Sequence, residues 1–397
     1  MLWKLQENVL VDSDREILAS FIRTTKRFTQ FTKVAAFESA FAEWQGCNYC
    51  VFVNSGSSAN LLLISAAKEC FGWSNGDEVI VPVVTWPTTV TPVLQMGLKP
   101  VFIDTNLSDL ALDYNKLRSA VTTRTRAIFV AHLLGFPANI SKIKEIISKR
   151  KNIVLLEDCC EAQGATINGV KVGNFGIAGT FSFYWGHHMT TVEGGMICTN
   201  NEDLYKLLVL KRSHGLAREL PVRYHVDLKE KYRDIDFNFL FLTDGFNVRN
   251  TEFNAVLGLE QLTHLDDYIA IRNHNYNEFL NMCRRYSREL IIIDVAGMSS
   301  FVLPFLFRER RLKEKFQEAI RQAGIESRPI ISGNLLRQPY LKKYHNSDNY
   351  PNADFIHSNA FYIGNNQFVD RHRLSVLSSL MESFFSSHCL YAPVEIP

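Results

Sequence analysis

No apolar run in the chain approaches the ~18 residues that a membrane-spanning helix needs, so a membrane span is not expected. The charges nearly cancel, 43 Lys and Arg against 41 Asp and Glu, and no long basic block occurs. Charge therefore gives no support to nucleic-acid binding. The opening stretch MLWKLQENVLVDSDREILASF carries acidic residues where a secretory segment needs an apolar core. Cysteine is sparse, eight in 397 residues, two of them adjacent (Cys159 and Cys160), which is no disulfide framework. Cys47 and Cys50 form one CxxC without a second pair at zinc-ribbon spacing, so they are read as buried small residues and no metal centre is expected. A soluble cytoplasmic protein with reduced thiols is the expectation. One further absence is local: between Lys171 and Lys206 there is no lysine at all.

What the chain does have is rhythm. From about residue 50 to 200, short apolar runs (CVFVNSG, DEVIVPVVTW, KPVFIDT, AIFVAHLLG, NIVLLEDCCEA, GTFSFYW) alternate with helical stretches such as ANLLLISAAKEC, YNKLRSAVT and ISKIKEIISKR. Continuous apolar strands separated by amphipathic helices predict an α/β fold with a mostly parallel sheet covered on both faces. In such sheets ligands sit beyond the carboxyl ends of the strands. After about residue 245 a long helical run precedes the short strands LIIIDV and SFVLPFLF, the charged helix LKEKFQEAIRQAG and a last helix near SVLSSLMESFF. The predicted division is a large domain, 1–245, and a smaller α+β domain, 246–397. DLKEKYRDIDFN, 227–238, reads as an exposed loop.

Chemistry-bearing residues fall at the predicted strand ends. NSGSSAN follows a strand and opens a helix, where free N–H groups of Gly56 and Ser57 can bind a phosphate; a plain strand-to-helix turn uses the same residues. VVTWPTTV sets Trp86 past a strand end, either as a packing aromatic or as a flat face for a ring. LLEDCCEAQGA ends a very apolar strand with Asp158 and Glu161, whose burial is costly unless a cation meets them. A protonated pyridine nitrogen is one such cation; capping of the next helix is the alternative. His187 and His188 sit in FSFYWGHHMTTVEGG, between two predicted strands. Glu193-Gly194-Gly195 reads as a turn without chemistry.

Taken in order, NSGSSAN, VTWPTTV, EDCCEAQGA, GTFSFYWGHHMTTVEGG, RSHG and DGFNVRNTEFNAVLGLEQL resemble the sugar aminotransferases of the fold-type I pyridoxal-phosphate (PLP) enzymes, the DegT group, over roughly residues 28–335. The resemblance implies that Gly56, Ser57 and Ser182 hold the cofactor phosphate, that Trp86 stacks on the ring and that Asp158 faces its nitrogen. Glu161 stands where the family usually has Gln near the ring hydroxyl. Asn247 would reach the phosphate from the partner subunit, which implies a homodimer with shared sites. The family has a lysine six residues before the Glu of its GEGG turn, bonded covalently to the cofactor aldehyde. Counting back from Glu193 gives His187, and imidazole cannot make that bond. The cofactor, PLP or its pyridoxamine form (PMP), would be held non-covalently.

A histidine here resembles a small branch of sugar 3-dehydratases, and FYWGHHMTTVEGG with IESRPIISGN is most similar to those acting on a GDP-linked 4-keto-6-deoxy sugar for deoxysugar and O-antigen synthesis. In the implied reaction PMP engages the C-4 ketone, His187 moves the proton, and the 3-hydroxyl leaves as water. Ammonia is then released, and L-glutamate regenerates PMP. A related type using an iron–sulfur cluster is not expected, because the C-terminal half offers only Cys283 and Cys389. His214, Arg249 and Arg328 are candidate contacts to substrate, glutamate carboxylate or diphosphate, each with a surface or helix-end role as the alternative. His188 is read as structural, pointing away from His187 if the segment is a strand. Two other functions stay open: an aminotransferase that has replaced its lysine, which would leave nitrogen on the sugar, and a non-catalytic cofactor-binding relative.

Overall fold

The predicted alternation of strand and helix is realised in a computed structural model that describes residues 3–344 and 350–388. Cys389 and the rest of the C-terminal tail lie outside the described residues. Helices α1 (Asp12–Thr24) and α2 (Thr32–Gln45) precede strands β1 (Tyr49–Val53), β2 (Glu78–Pro82), β3 (Lys99–Ile103), β4 (Thr125–Ala131) and β5 (Val154–Asp158). Between these strands run α3 (Gly56–Cys70), α4 (Pro87–Gln95), α5 (Tyr114–Ala120) and α6 (Ile140–Ile147). A small hairpin, β6 (Thr166–Ile167) and β7 (Val170–Lys171), leads to β8 (Ala178–Ser182), β9 (Gly195–Thr199) and α7 (Glu202–Arg212).

Seven strands form one sheet in the order β1-β9-β8-β5-β4-β2-β3. The pairs from β8 through β3 are parallel, whereas β9 runs against both β8 and β1. Every residue of β2, β8 and β9 is buried, as expected of strands covered on both faces. Because β9 alone is reversed, its first residue lies at the edge where the other six strands end. The loops after β1, β2, β4, β5 and β8, and the start of β9, therefore meet along one rim.

The remainder comprises α8 (His225–Lys231), α9 (Glu252–Arg284), β10 (Val302–Leu306), α10 (Arg310–Gln322), β11 (Ser327–Arg328), α11 (Pro351–Asn359), β12 (Ala360–Gly364) and α12 (Arg371–His388). A second, antiparallel sheet has the order β10-β12-β11. Phe305, Phe307, Phe316, Phe361 and Phe385 stack or tilt against one another on it, a core of large apolar area with favourable ring geometry. The 33-residue α9 packs on α1 and α2. Trp3 bridges to Ile325 and donates its indole N–H to Gly364 O at 3.1 Å, so the chain start is pinned to the second sheet.

Two local expectations are corrected. LIIIDV is not a strand: beyond an isolated bridge from Leu290 to Phe307, the carbonyl of its buried Ile293 accepts from the Tyr276 hydroxyl of α9 at 2.6 Å. A side chain has replaced the ladder. DLKEKYRDIDFN is exposed, but Asp227–Lys231 belong to α8, with Lys231 in its last turn suiting the helix dipole.

Candidate active site

The rim encloses a cleft of about 450 Å³. At one end lies the start of α3. Ser55 is its N-cap, accepting from Ser58 N at 3.0 Å, which leaves the N–H groups of Gly56 and Ser57 for an anion at the helix terminus. Close approach here requires glycine twice. A Cβ on Gly56 would lie 2.6 Å from Ser182 Cβ and 3.1 Å from Cys160 Sγ, and one on Gly195 would lie 2.3 Å from Ser55 O. Gly56→Ala is therefore expected to push Ser182 out of the cradle and weaken PMP binding at least ~10-fold, a change of ~1.4 kcal/mol, measured by fluorescence titration of the purified protein.

Asp158 closes the buried end. Its Oδ2 accepts from Asn60 Nδ2 at 2.9 Å and Thr89 Oγ1 at 2.8 Å, and its Oδ1 accepts from Cys160 N at 3.1 Å. An ionised carboxylate has about four acceptor positions, so one remains on Oδ1 for a cation in the cleft. Asn60 and Thr89 are themselves fixed, by Thr180 Oγ1 at 2.6 Å and by Thr85 Oγ1 at 2.8 Å. Trp86, 56% exposed as the residue before Pro87 of α4, stands at the cleft wall. Glu161 accepts from Leu134 N at 2.8 Å. Burial, together with the charge of Asp158, raises its pKa to about 7 against that hydrogen bond.

The GHH segment is a turn, and both imidazoles tilt against Phe301, at 5.1 and 5.9 Å between ring centres. His187 lines the cleft. Its Nδ1 lies 2.6 Å from Cys160 O. A carbonyl can only accept, so Nδ1 carries the proton and Nε2 keeps a free lone pair. Burial lowers the His187 pKa to about 4, with a further contribution from the positive charge of Arg272, against the bond to Cys160. His188 is buried and sits 3.3 Å from Ser299 O and 3.1 Å from Ser299 Oγ, anchoring the turn from the core side.

Arg272 of α9 holds the same turn from behind. It is fully buried and donates to His187 O at 3.2 Å, Phe301 O at 3.1 Å and Asn365 O at 2.5 Å. Burial lowers its pKa to about 9. It remains a cation at neutral pH, which helps keep His187 neutral.

The cleft brings together Gly56, Ser57, Trp86, Asp158, Glu161, Ser182, His187 and Arg328. His214, Asn247 and Arg249 do not line it. They lie together on a neighbouring surface: Ser213 bridges to Asn247, Arg249 bridges to Val53, and Arg249 Nε donates to Asn247 Oδ1 at 3.2 Å. Sequence reasoning missed Gln6, Glu193, Phe301 and Tyr362, all of which line the cleft. Tyr362 sits opposite Arg328 in the β11–β12 register, and burial raises its pKa to about 12, with the Glu161 charge adding to the rise. Only the apolar alternation of SFVLPFLF offered any signal for Phe301. Gln6 offered none.

The residues present fit a PLP-type cofactor: an anion cradle at a helix start, an aromatic face, and a buried carboxylate with one acceptor unspent. Their setting, one reversed strand in an otherwise parallel seven-stranded sheet, is that of a fold-type I PLP enzyme. The chain belongs to the DegT/DnrJ/EryC1/StrS aminotransferase family, whose model matches residues 12–374. It is 37% identical to GDP-4-keto-6-deoxy-D-mannose 3-dehydratase of Escherichia coli O55:H7 over 350 residues, covering 86% of this chain and 90% of that protein. To the Yersinia pseudotuberculosis protein of the same name it is 36% identical, over 86% and 88%. A crystal structure of GDP-4-keto-6-deoxymannose-3-dehydratase with a trapped PLP–glutamate geminal diamine superposes with a TM-score of 0.88 at 34% identity, over 96% of this chain and 100% of that one. Helicobacter pylori PseC, at 22% identity and a TM-score of 0.84, shares the fold.

Proposed function

We propose that this protein is a PLP/PMP-dependent 3-dehydratase of a GDP-linked 4-keto-6-deoxy sugar, using L-glutamate to restore PMP and acting in the cytoplasm. The observation that carries this reading is the cleft itself: an imidazole with a free Nε2 lines it, at the position that the sequence resemblance matches to the family's lysine, and none of the described residues lining the cleft is a lysine.

When bound, the cofactor supplies an electron sink for the C–H bond next to its nitrogen. The chain supplies the rest. Gly56 and Ser57 N–H groups and the Ser182 hydroxyl take the phosphate. Trp86 covers one ring face, and Asp158 keeps the ring nitrogen protonated. Nε2 of His187 takes the proton and returns one to the departing 3-hydroxyl, which leaves as water. With no lysine to displace it, the amino nitrogen is released by water as ammonia and does not stay on the sugar. Arg328 and Tyr362, paired in the β11–β12 register and lining the cleft, serve the diphosphate or the glutamate carboxylate, to which a guanidinium can bind through two parallel bonds.

Asn247, Arg249 and His214 are assigned to the neighbouring active site of a homodimer. The exposure of His214 and Asn247 outside this cleft supports that reading, as do the exposed apolar side chains of Val222, Phe239 and Phe241 on the same segment, since apolar surface left exposed favours an interface.

The test combines purified protein, PLP, L-glutamate and GDP-4-keto-6-deoxymannose, followed by quantification of ammonia and mass analysis of the sugar. One ammonia per 3-deoxy sugar is expected, with no borohydride-trapped cofactor on the protein. Nitrogen retained in the sugar product would replace this reading by an aminotransferase.

A further inference from the structure

Far from the cleft, the single CxxC acquires a third member. Cys50 of β1 and Cys198 of β9 face each other in the antiparallel register, with their sulfurs 3.2 Å apart. Cys47 is delivered to them by the turn after α2, where Gly46 adopts φ +80° and Cys47 N bonds to Ala42 O. Its sulfur lies 3.6 Å from that of Cys50, and all three sulfurs fall within 4.8 Å of one another. A tetrahedral zinc with Zn–S bonds of ~2.3 Å places its sulfurs about 3.8 Å apart, so the Cys50–Cys198 pair needs to open by about 0.6 Å and the Cys47–Cys50 pair by about 0.2 Å. Cys50 and Cys198 are buried and Cys47 is half-buried, which leaves one side for entry and for a fourth ligand.

We propose that Cys47, Cys50 and Cys198 form a three-thiolate site for a thiophilic divalent cation, zinc, with water or a small external ligand in the fourth position. The site lies five residues before Ser55 on β1, ~16 Å away at strand rise, so it takes no part in the cofactor chemistry. It would fasten α2, β1 and β9, the elements that support the anion cradle. Binding forms S–Zn bonds and releases the thiol protons, with no change of oxidation state.

The experiment uses the full chain, reduced and stripped with chelator, and titrated with Co2+ as an optical probe before competition with Zn2+. The expected result is one equivalent of cobalt giving thiolate charge-transfer and tetrahedral visible bands, displaced by one equivalent of zinc. Cys47→Ser, at the half-exposed position least able to disturb folding, should weaken zinc binding by about 100-fold or more, and so should Cys198→Ser. Cys70→Ser should change nothing. Absence of the bands in protein whose thiols all titrate as free would overturn the proposal. So would bands that persist unchanged in Cys47→Ser, or a Cys47–Cys50 disulfide that excludes metal until reduced and still binds none afterwards.

Discussion

His187→Asn is expected to lower the rate of 3-deoxy sugar formation by ~10³, within the 10²–10⁴ range of a positioned general base, and to leave cofactor affinity nearly unchanged. The amide of Asn can still donate to Cys160 O, as Nδ1–H of His187 does at 2.6 Å, so the turn keeps its shape. It has no titratable lone pair, so nothing replaces Nε2. The cradle is made by backbone N–H groups of α3 and by β8 and β9, none of which the change touches. In the wild-type protein, burial and Arg272 favour neutral imidazole and lower its pKa to about 4. The base form is then lost only as pH falls through that value, and the acid limb of kcat/KM should lie below pH 6.5. That limb should vanish in His187→Asn. Initial rates across pH 4–9, paired with a PMP titration, make the test. A residual rate within tenfold of wild type would remove His187 from the proton transfer.

Asp158→Asn is expected to slow both the sugar reaction and the glutamate half-reaction by ~10²–10³, the loss of a charge-assisted bond of ~2.7–4 kcal/mol. Every neighbour of this carboxylate that touches it is a donor: Asn60 Nδ2, Thr89 Oγ1 and Cys160 N. An amide must turn its own NH2 group against one side or the other. With the NH2 towards Asn60 and Thr89, two donors face it and ~1–3 kcal/mol of stability is lost. With the NH2 on the other side, it opposes Cys160 N and confronts the ring nitrogen with a donor. Either way the negative charge is gone. The rate of the spectral change on adding glutamate, measured by stopped flow, reads this directly, and thermal unfolding reads the cost to the fold. An unaltered glutamate half-reaction would mean that Asp158 is structural.

Legibility in the sequence followed the strands. The apolar runs from CVFVNSG to GTFSFYW, KPVFIDT excepted, end in loops at the rim, so Gly56, Trp86 and Asp158 could be nominated from position and chemistry, while His187 was singled out by the resemblance to a family that has lysine there. What could not be read came from elsewhere in the chain. Gln6 reaches the cleft because Trp3 is tied to Ile325 and Gly364, a connection of more than 300 residues that no local pattern announces. Arg272 looks like any charged residue on the outside of a long helix, yet it is fully buried against three carbonyls. Cys198 carries no spacing relation to Cys47 and Cys50; sheet register alone brings it to them. The GHH turn was legible as well: the histidines fall between two predicted strands, and β8 stops at Ser182 while β9 does not begin until Gly195.

That gap has a consequence for how reactions diverge on this scaffold. The loop from 183 to 194 is clamped at both ends by the pairing of Ser182 with Gly195, and the anion cradle is built from the start of α3 and this clamp, not from the loop. The residue at 187 can therefore be exchanged without dismantling what holds the cofactor. On the proposed reading, what holds the cofactor and what moves the proton thus rest on different stretches of the chain.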